Sequence, residues 1–368
     1  MNPFRYGCTV DGEFFCPRPE LEQGLASYIE SGQHVVIVGE RRTGKSSLVL
    51  ETVRKMKGMA LFYVDFLSIR SRAELCNRLV AALARLEDSD SWLGKVQKTL
   101  LRLRPFLSID PSSGAPTICI DAKEAAAPNT LDLLLDTLVA QTTHRRICVV
   151  FDEFQDILNV EDGWNALAVM RSRIQHDSRT PYVFLGSVRH QMLDIFLSHS
   201  SPFYHGAAVF KVGGIDADVF FEFLNNRFAK GGRTFPRAVF DAIADATRNT
   251  PGFIQELCDA LWQMSADGDV LSDETLKKAL DVIFAREQEH FVFAVKQLTA
   301  LQTRVLKAVA VKGGREIYSG AFLEAVGTHS PASVKKAMSK LMAEGLVYFV
   351  DDEYRIDNPF LAEWMRRR

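Results

Sequence analysis

In the first half of the chain, short apolar runs alternate with longer segments of helical periodicity. Compact apolar runs predict buried strands, and apolar residues recurring every three or four positions predict amphipathic helices. Five runs predict strands: Val35–Val38, Ala60–Phe66, Ile147–Phe151, Tyr182–Gly186 and Ala208–Val212. Strands joined by crossover helices predict a doubly wound α/β fold with a five-stranded parallel sheet. Such sheets bind ligands at the carboxyl ends of their strands.

All but one of the segments between these strands show the periodicity of helices. A first helix is predicted from Glu20 to Ser31, where Gly32 ends it. Further helices are predicted at Lys45 to about Lys57, Ala73–Leu86, 91–103, Asn129–Thr142, Gly163–His176 and His190–Leu197. The exception is Phe106–Asp121, where two short β-runs flank a Pro-Ser-Ser-Gly turn and predict an inserted hairpin.

The second half of the chain changes pattern twice. From Asp216 to about Lys296 only helical periodicity remains, which predicts either a helical lid domain or a helical extension of the core. The rest predicts a winged helix, from helices at Ala300–Val311, Tyr318–Val326 and Pro331–Glu344 and strands at Leu346–Val350 and Tyr354–Asp357. The predicted domains are an arm and helix (1–32), a core (33–214), a helical lid (215–296) and a winged helix (297–368).

The first predicted strand runs into a phosphate loop. The loop matches G-x-x-x-x-G-K-[ST] at every fixed position and reads Gly39, Glu40, Arg41, Arg42, Thr43, Gly44, Lys45, Ser46, with Ser47 following. The glycines permit a tight turn whose N–H groups approach phosphates, Lys45 reaches the β- and γ-phosphates, and Ser46 offers a hydroxyl to Mg²⁺. The helix that begins there directs its positive end at the same anion.

The predicted strand Ile147–Phe151 ends in two acids, Asp152 and Glu153. A carboxylate at a strand end can hold Mg²⁺, and a second one can orient or deprotonate an attacking water. A solvated strand end can have the same composition, so the two acids alone are weak evidence. Together with the phosphate loop they indicate a nucleotide site. We therefore predict Asp152 as a metal ligand and Glu153 as the base of a nucleotide hydrolase.

Composition narrows the class of protein. The 368 residues exceed the usual size of one domain, and the formal net charge of −2 shows no overall bias toward nucleic acid or acidic lipid. The six cysteines are scattered without a C-x-x-C pair, which predicts reduced thiols in a cytoplasmic protein. No apolar run approaches the ~20 residues of a membrane span, so we expect no membrane partner.

The predicted winged helix carries a local positive surplus. Residues 296–368 contain 12 Lys and Arg against 8 Asp and Glu, including Lys335, Lys336 and Lys340 on the predicted recognition helix and three terminal arginines. These lysines could meet DNA phosphates. The acidic wing tip, Asp351-Asp352-Glu353, argues the other way, and winged helices also dock proteins. The sequence is compatible with either DNA or a protein as the partner of the winged helix.

Several motifs together resemble the archaeal ATPase family and its bacterial members, which are P-loop ATPases allied to the STAND and AAA+ groups. The resemblance covers nearly the whole chain and rests on Asn2-Pro3-Phe4 with Tyr6-Gly7, the phosphate loop with its doubled arginine, Phe151 to Gln155, Phe184 to Ser187, Pro251 with Gln255, and Asp357 to Phe360 before Trp364. It implies ATP rather than GTP, a five-stranded core, a helical lid that places Pro251 at the nucleotide, and a C-terminal winged helix.

The sequence departs from the family pattern at two places. Pro19 stands where the family has an acid after Arg18, and Asn249 stands where it has a glycine before Pro251. In addition, no arginine follows Pro251 through Ser265, so an AAA+-type lid arginine is missing there. Arg189 is the candidate to act on the γ-phosphate within one subunit, and Arg173 or Arg179 to act across an interface. Ser187 is either a γ-phosphate sensor or a turn serine that caps the next helix.

Two functions follow from these motifs. The first is a slow Mg²⁺-dependent ATPase that works as a conformational switch, with its winged helix docked on a protein partner. The alternative is a nucleotide-gated accessory factor that binds double-stranded DNA in replication, transposition or defence. A phosphoryl transferase is disfavoured because Glu153 beside Asp152 suits water activation. We expect a monomer or a nucleotide-dependent oligomer.

Overall fold

The structure is a computed structural model that describes residues 2–86, 103–109, 114, 116–127, 129–177, 179–187 and 190–368. Contacts divide the chain into two compact units. The sheet unit is Thr9–Gly213, and the helical unit consists of Met1–Cys8 and Gly214–Arg368. The segment predicted as one N-terminal arm is thus divided between the two units. Most of the helix predicted at 91–103 lies outside the described residues.

The sheet unit is built on five parallel strands, as predicted. They are β1 (Val35–Gly39), β2 (Ala60–Asp65), β5 (Ile147–Asp152), β6 (Tyr182–Ser187) and β7 (Ala208–Lys211). Their order across the sheet is β2-β5-β6-β1-β7, and all four neighbouring pairs are parallel. The strand that ends in the phosphate loop is therefore separated from the acidic strand by β6 alone.

Both faces of this sheet are buried, which explains why the strands read as continuous apolar runs. Successive side chains point to opposite faces: Val35 and Ile37 join one hydrophobic cluster, and Val36 and Val38 join the other. The described helices of the unit are α1 (Pro19–Glu30), α2 (Lys45–Lys55), α3 (Arg72–Arg85), α4 (Ala122–Ala126), α5 (Thr130–Thr142), α6 (Gly163–Ile174) and α7 (His190–Leu197).

The insertion predicted within Phe106–Asp121 contains two antiparallel strands, β3 (Phe106–Ile109) and β4 (Pro116–Cys119). The short helix α4 after it was missed because its five residues are too few to show a helical period. Short 3₁₀ helices occur at Gly12–Phe14 and Phe154–Asn159.

The helical unit begins with α8 (Ala217–Lys230), α9 (Arg237–Thr247), α10 (Pro251–Gln263) and α11 (Asp273–Lys296). Residues of the N-terminal segment pack on these helices. Phe4 packs against Phe228 with ring centroids 4.6 Å apart, and Asn2 Nδ2 donates to Asp259 Oδ1 at 2.6 Å. Within the described ranges, no helix is long and apolar enough to cross a membrane.

The remaining elements have the order of a winged helix: α12 (Ala300–Lys312), α13 (Gly320–Val326), α14 (Pro331–Ala343), β8 (Val347–Val350) and β9 (Glu353–Ile356), followed by α15 (Pro359–Arg366). The final helix α15 was not predicted. Only Asp351 and Asp352 connect the two strands, and both have positive φ (49° and 58°). Aspartate tolerates that conformation better than most residues, so the acidic wing tip has a structural reason.

Candidate nucleotide site

The phosphate loop connects β1 to α2 through two sharp turns. Gly44 has φ +82° and Arg42 φ +61°, both left-handed. Gly39 has a different reason to be glycine, because a Cβ there would overlap the carbonyl oxygen of Val212 after β7. Thr43 Oγ1 donates to the carbonyl of Glu40 at 2.9 Å and braces the turn from inside. These backbone angles and internal contacts therefore fix the shape of the loop.

Lys45 is buried at the start of α2, with 7% of its surface exposed. Its Nζ donates to the carbonyl oxygens of Gly39 (3.0 Å) and Glu40 (2.9 Å). Burial lowers the pKa of Lys45, while the negative charges of Glu153 and Asp152 oppose that shift. Two backbone carbonyls of the loop therefore hold the ammonium group in place. A phosphate could replace them as the acceptor of its hydrogen bonds.

Asp152 joins the phosphate loop to the acidic strand. Its Oδ2 accepts hydrogen bonds from Ser46 Oγ at 2.5 Å and from Tyr63 Oη at 2.8 Å. Burial first, and then the Asp152 carboxylate, raise the pKa of Tyr63, so its hydroxyl remains a donor at neutral pH. The structure brings together the two residues that the sequence predicts as metal ligands.

The oxygens of Ser46 and Asp152 are of the kind that Mg²⁺ prefers. Among the described residues, no cluster of three or more His, Cys, Asp or Glu side chains could hold a metal ion by itself. A Mg²⁺ held at this position would therefore take most of its ligands from phosphate oxygens and water. The donor set fits a nucleotide-bound Mg²⁺.

Glu153 follows Asp152 with a left-handed backbone, φ 46° and ψ 43°. This conformation is uncommon for residues other than glycine, and strained residues cluster at functional sites. Its Oε2 accepts a hydrogen bond from Gln155 Nε2 at 2.6 Å. The side chain is half-buried, and its charge acts on Lys45. The predicted base and the phosphate-loop lysine belong to one electrostatic site.

Two further residues at this edge were not singled out from the sequence. Asp65 ends β2 in register with Asp152, and burial raises its pKa, with Asp152 adding to the shift. Tyr63 stands two residues earlier on the same strand. The available signal was that the run Ala60–Phe66 also carries an acid at its carboxyl end, which parallel pairing brings beside the acidic strand.

Ser187 ends β6 opposite Gly39 in the pairing of β1 with β6. It is 3% exposed, and among the residues that the structure describes its Oγ has no hydrogen-bond partner. A buried hydroxyl without a partner is costly, so this atom is suited to a ligand. Arg189, two residues further on, lies outside the described residues.

Arg18 supports the phosphate loop from the side of α1. Its Nη2 donates to the carbonyl of Thr43 at 2.6 Å, and its Nη1 donates to the carbonyl of Gly213 at 3.3 Å. Pro19, the departure from the family pattern, occupies the first turn of α1. Proline is favoured there because the missing N–H would have no helical partner. This departure leaves the arginine in place.

The other predicted loop residues differ in how far their side chains are exposed. Arg41 and Arg42 are exposed, and Glu40 is half-buried. Ser47 is buried, and its Oγ accepts a hydrogen bond from the Val10 amide at 3.0 Å, so its side chain serves the arm that precedes α1. Any contact from Ser47 to a phosphate would come from its backbone N–H at the start of α2.

The remaining candidates belong to other elements of the fold. Arg173 on α6 is paired with Asp132 (2.7 Å) and Asp136 (2.5 Å) on α5. Pro251 opens α10 in the helical unit. Before it, Asn249 has φ +50° and its Nδ2 donates to the carbonyl of Ile215 at 3.1 Å. Asparagine is among the few residues that tolerate positive φ, which explains how it replaces the glycine of the family pattern.

The strand order, the phosphate loop and the acidic strand end define the fold of a P-loop ATPase of the AAA+ type. Over 99% of its length the chain is similar to 99% of the Walker-type ATPase of Pyrococcus abyssi, at 19% identity and a TM-score of 0.68. It is also similar to Aeropyrum pernix Orc1, solved in complex with DNA, at 14% identity and a TM-score of 0.54, with 96% of this chain and 93% of that chain covered.

The Aeropyrum pernix Orc2 protein with ADPNP and ADP gives the same values of identity, TM-score and coverage. At these identities the likeness shows the fold. Residues 289–367 match a family described as a probable winged helix domain, which confirms the C-terminal prediction. No protein with a curated function matches the chain in sequence.

Proposed function

We propose that the chain binds ATP with Mg²⁺ and hydrolyses it slowly, and that this reaction drives a conformational switch read by a partner of the winged helix. The observation that carries the proposal is the hydrogen bond from Ser46 to Asp152, with Lys45 and Glu153 in the same electrostatic site. Hydrolysis needs a cation that binds the β- and γ-phosphates and a carboxylate that orients and deprotonates the attacking water. A phosphate loop alone would supply only the first.

The residues take separate roles in this proposal. The N–H groups of the loop from Glu40 to Ser47 bind the phosphates, and Lys45 neutralises them. Ser46 and Asp152 would hold a Mg²⁺ ion, which would neutralise charge on the phosphate oxygens. Glu153 orients the attacking water and accepts its proton. We further propose that Ser187 contacts the γ-phosphate and that Pro251 contacts the nucleotide, as the family resemblance implies.

The test measures ATP turnover and ATP binding separately on the full chain. Lys45→Ala is expected to weaken or abolish ATP binding, because the buried ammonium is aimed at the phosphates. Glu153→Gln is expected to retain ATP and to lose ~10²-fold or more in turnover. Unchanged ATP affinity in Lys45→Ala would overturn the assignment of the loop, and normal turnover in Glu153→Gln would overturn that of the base.

DNA is the second candidate partner, and the surface of α14 favours it. Lys335, Lys336 and Lys340 are exposed on this helix, although Lys340 is paired with Glu344 at 2.7 Å. Two of the terminal arginines are engaged, because Arg366 pairs with Glu363, and Arg367 with Glu363 and Asp281. Exposed Lys335 and Lys336 therefore give α14 positive charge that could meet DNA phosphates.

Salt dependence separates the two partner classes. DNA binding through the α14 lysines weakens steeply as salt rises, with a slope that falls by about 1 for each phosphate contact removed. Replacing all three lysines with glutamine should flatten that slope, whereas a protein partner need not show it. Turnover measured alone, with duplex DNA and with co-purifying proteins then identifies which partner accelerates the ATPase.

A further inference from the structure

Gln155, two residues after the predicted base, is a buried side chain whose amide orientation is fixed by its neighbours. It is 2% exposed. Its Nε2 donates to Glu153 Oε2 at 2.6 Å and to Asp156 Oδ1 at 3.3 Å. An ionised carboxylate can accept hydrogen bonds but cannot donate them, so the NH₂ end of the Gln155 amide must face the two carboxylates. The carbonyl end therefore points the other way.

The carbonyl oxygen of Gln155 lies against β6. A Cβ added at Gly186 would be 2.5 Å from this Oε1 and 2.8 Å from Met192 Sδ, so only glycine leaves room for the amide. In the part of the chain that the structure describes, Oε1 has no hydrogen-bond partner. Gln155 thus fills the space between the acidic strand end and the residue that precedes Ser187.

We propose that Gln155 is a positioning residue for ATP hydrolysis: it holds one oxygen of Glu153 so that the other faces the attacking water. The inference rests on the proposed function and adds to it. The terminal torsion of a glutamate side chain is broad, so a hydrogen-bond partner is needed to keep the Glu153 carboxylate in one orientation. Gln155 is that partner, and because its side chain is buried, water does not compete with it for Glu153.

The reaction step balances without any further reactant. The water oxygen forms a bond to the γ-phosphorus, and the bond from that phosphorus to the β–γ bridging oxygen breaks and leaves ADP. The water proton passes to Glu153 Oε1, the oxygen that Gln155 does not bind. Gln155 itself neither gains nor loses a proton. Its effect on the rate must therefore pass entirely through Glu153.

This dependence makes a double-mutant cycle the direct test. Gln155→Met keeps the length of the side chain and removes its hydrogen bonds. We expect kcat to fall about tenfold to hundredfold, the range that misplacement of a catalytic group produces, with the affinity for a fluorescent ATP analogue unchanged. In the Glu153→Gln background, the same substitution should cause less than a twofold further loss.

Gln141 gives a matched control within the same unit. It is 1% exposed, its Nε2 donates to its own helix at the carbonyl of Thr137, and its Oε1 has no partner within the described residues. Gln141→Met removes a buried amide away from the acidic strand end and should leave kcat unchanged. Equal kcat losses in the two glutamine variants would mean that Gln155 acts only through stability.

A second variant leaves Gln155 in place and guards against a folding defect. Gly186→Ala pushes a methyl group against the amide oxygen, so kcat should fall again without a change in analogue affinity. Equal effects of Gln155→Met in wild type and in Glu153→Gln, or a wild-type kcat in Gln155→Met, overturn the inference while the proposed ATPase survives. Full turnover in Glu153→Gln would instead rule out Glu153 as the base, and a wild-type protein that binds no ATP and does not hydrolyse it would overturn the proposed function.

Discussion

Arg18 Nη2 donates a hydrogen bond to the carbonyl oxygen of Thr43 at 2.6 Å, inside the phosphate loop. The same guanidinium reaches the carbonyl of Gly213, the last residue of the sheet unit. Arg18 is 8% exposed, and its burial lowers its pKa. A Cβ at Gly44 would lie 3.4 Å from Nη2. One buried cation therefore connects the loop to the chain that follows β7.

Arg18→Ala should weaken ATP binding about tenfold, because the loop loses a charge-assisted hydrogen bond of about 1.5–3 kcal/mol and a tenfold change in affinity corresponds to about 1.4 kcal/mol. Arg18→Lys should fall between Arg18→Ala and wild type, since an ammonium group lacks the planar fork that bonds both carbonyls. Equilibrium binding of an ATP analogue measures the effect.

Arg146→Ala is the matched control, because Arg146 is an exposed arginine of the same unit at the opposite end of β5. It should leave ATP affinity unchanged. If Arg18→Ala binds ATP as wild type does while its unfolding temperature falls, then Arg18 stabilises the unit without shaping the loop, and our interpretation of the contact is wrong.

Ser187→Ala should separate a ligand contact from a structural one. Its Oγ is buried and has no partner among the described atoms, so removing it should leave the stability of the free protein unchanged or raise it by about 1 kcal/mol. Turnover should fall by at least tenfold if the hydroxyl meets the γ-phosphate. Thermal unfolding and kcat are measured on the same preparation.

Ser201 provides the comparison for this variant. It is also buried, but its Oγ donates to the carbonyl of Ile195 and accepts from the Phe203 amide. Ser201→Ala should destabilise the protein by about 1 kcal/mol and leave kcat unchanged. A Ser187→Ala protein that behaves in this way would identify Ser187 as a turn residue.

The elements of the fold were predictable where apolar periodicity is long and unambiguous. Both sheet faces are covered, so the five strands stand out as unbroken apolar runs, and the phosphate loop follows the first of them. The helix α15 was missed because its apolar residues begin right after a strand and the segment is short. The wing turn was predicted one residue too long, as Asp351-Asp352-Glu353, because Glu353 already belongs to β9.

The site was predictable only in part, because the sequence gives spacing along the chain and not proximity across it. Lys45, Ser46, Asp152 and Glu153 were found through motifs. Tyr63 and Gln155 were not assigned roles, since their contacts with Asp152 and Glu153 depend on strand register and on side-chain direction. Arg18 was visible as part of a motif, but its two carbonyl partners are distant in sequence.

Glu51 on α2 should make the stability of the sheet unit depend on acid pH. Hydrogen bonding to Arg54 is the main cause that lowers the pKa of Glu51 from 4.5 to about 2, and the Gly12 amide adds to the shift. Because the folded pKa is depressed, the stabilisation is complete above pH 4.5 and disappears as the pH falls toward 2.

Glu51→Gln tests this dependence. At pH 7 it should lower the unfolding temperature by about 2–4 °C, the shift that 1 kcal/mol produces in a domain of 150–250 residues. The gap from wild type should close between pH 4.5 and 2. Glu274→Gln is the comparison, because the pair with Lys278 also lowers the pKa of Glu274 but both side chains are exposed, so the gap should be small at every pH. A gap that is constant with pH would mean that the Glu51 charge is not involved.

Arg173, Arg179 and Arg189 are the candidates to stabilise charge on the γ-phosphate. Such a residue contributes ~10³–10⁵ to the rate in related nucleotide hydrolases. Arg179 precedes β6, whereas the site is at the other end of that strand, about 17 Å away at 3.3 Å per residue. Within one subunit it is too distant. Arg173 is held by two ion pairs, one to half-buried Asp132 and one to exposed Asp136.

We therefore predict that Arg189 acts within one subunit and that Arg189→Ala lowers kcat by about 10³-fold with little change in ATP affinity. Mixing subunits decides between the two arrangements. One partner carries Glu153→Gln and the other carries both Arg173→Ala and Arg179→Ala. If an arginine acts across an interface, the mixture recovers activity, because some interfaces pair an intact base with an intact arginine. For action within one subunit we expect the double variant to keep wild-type turnover alone, and the mixture to show only the average of its components.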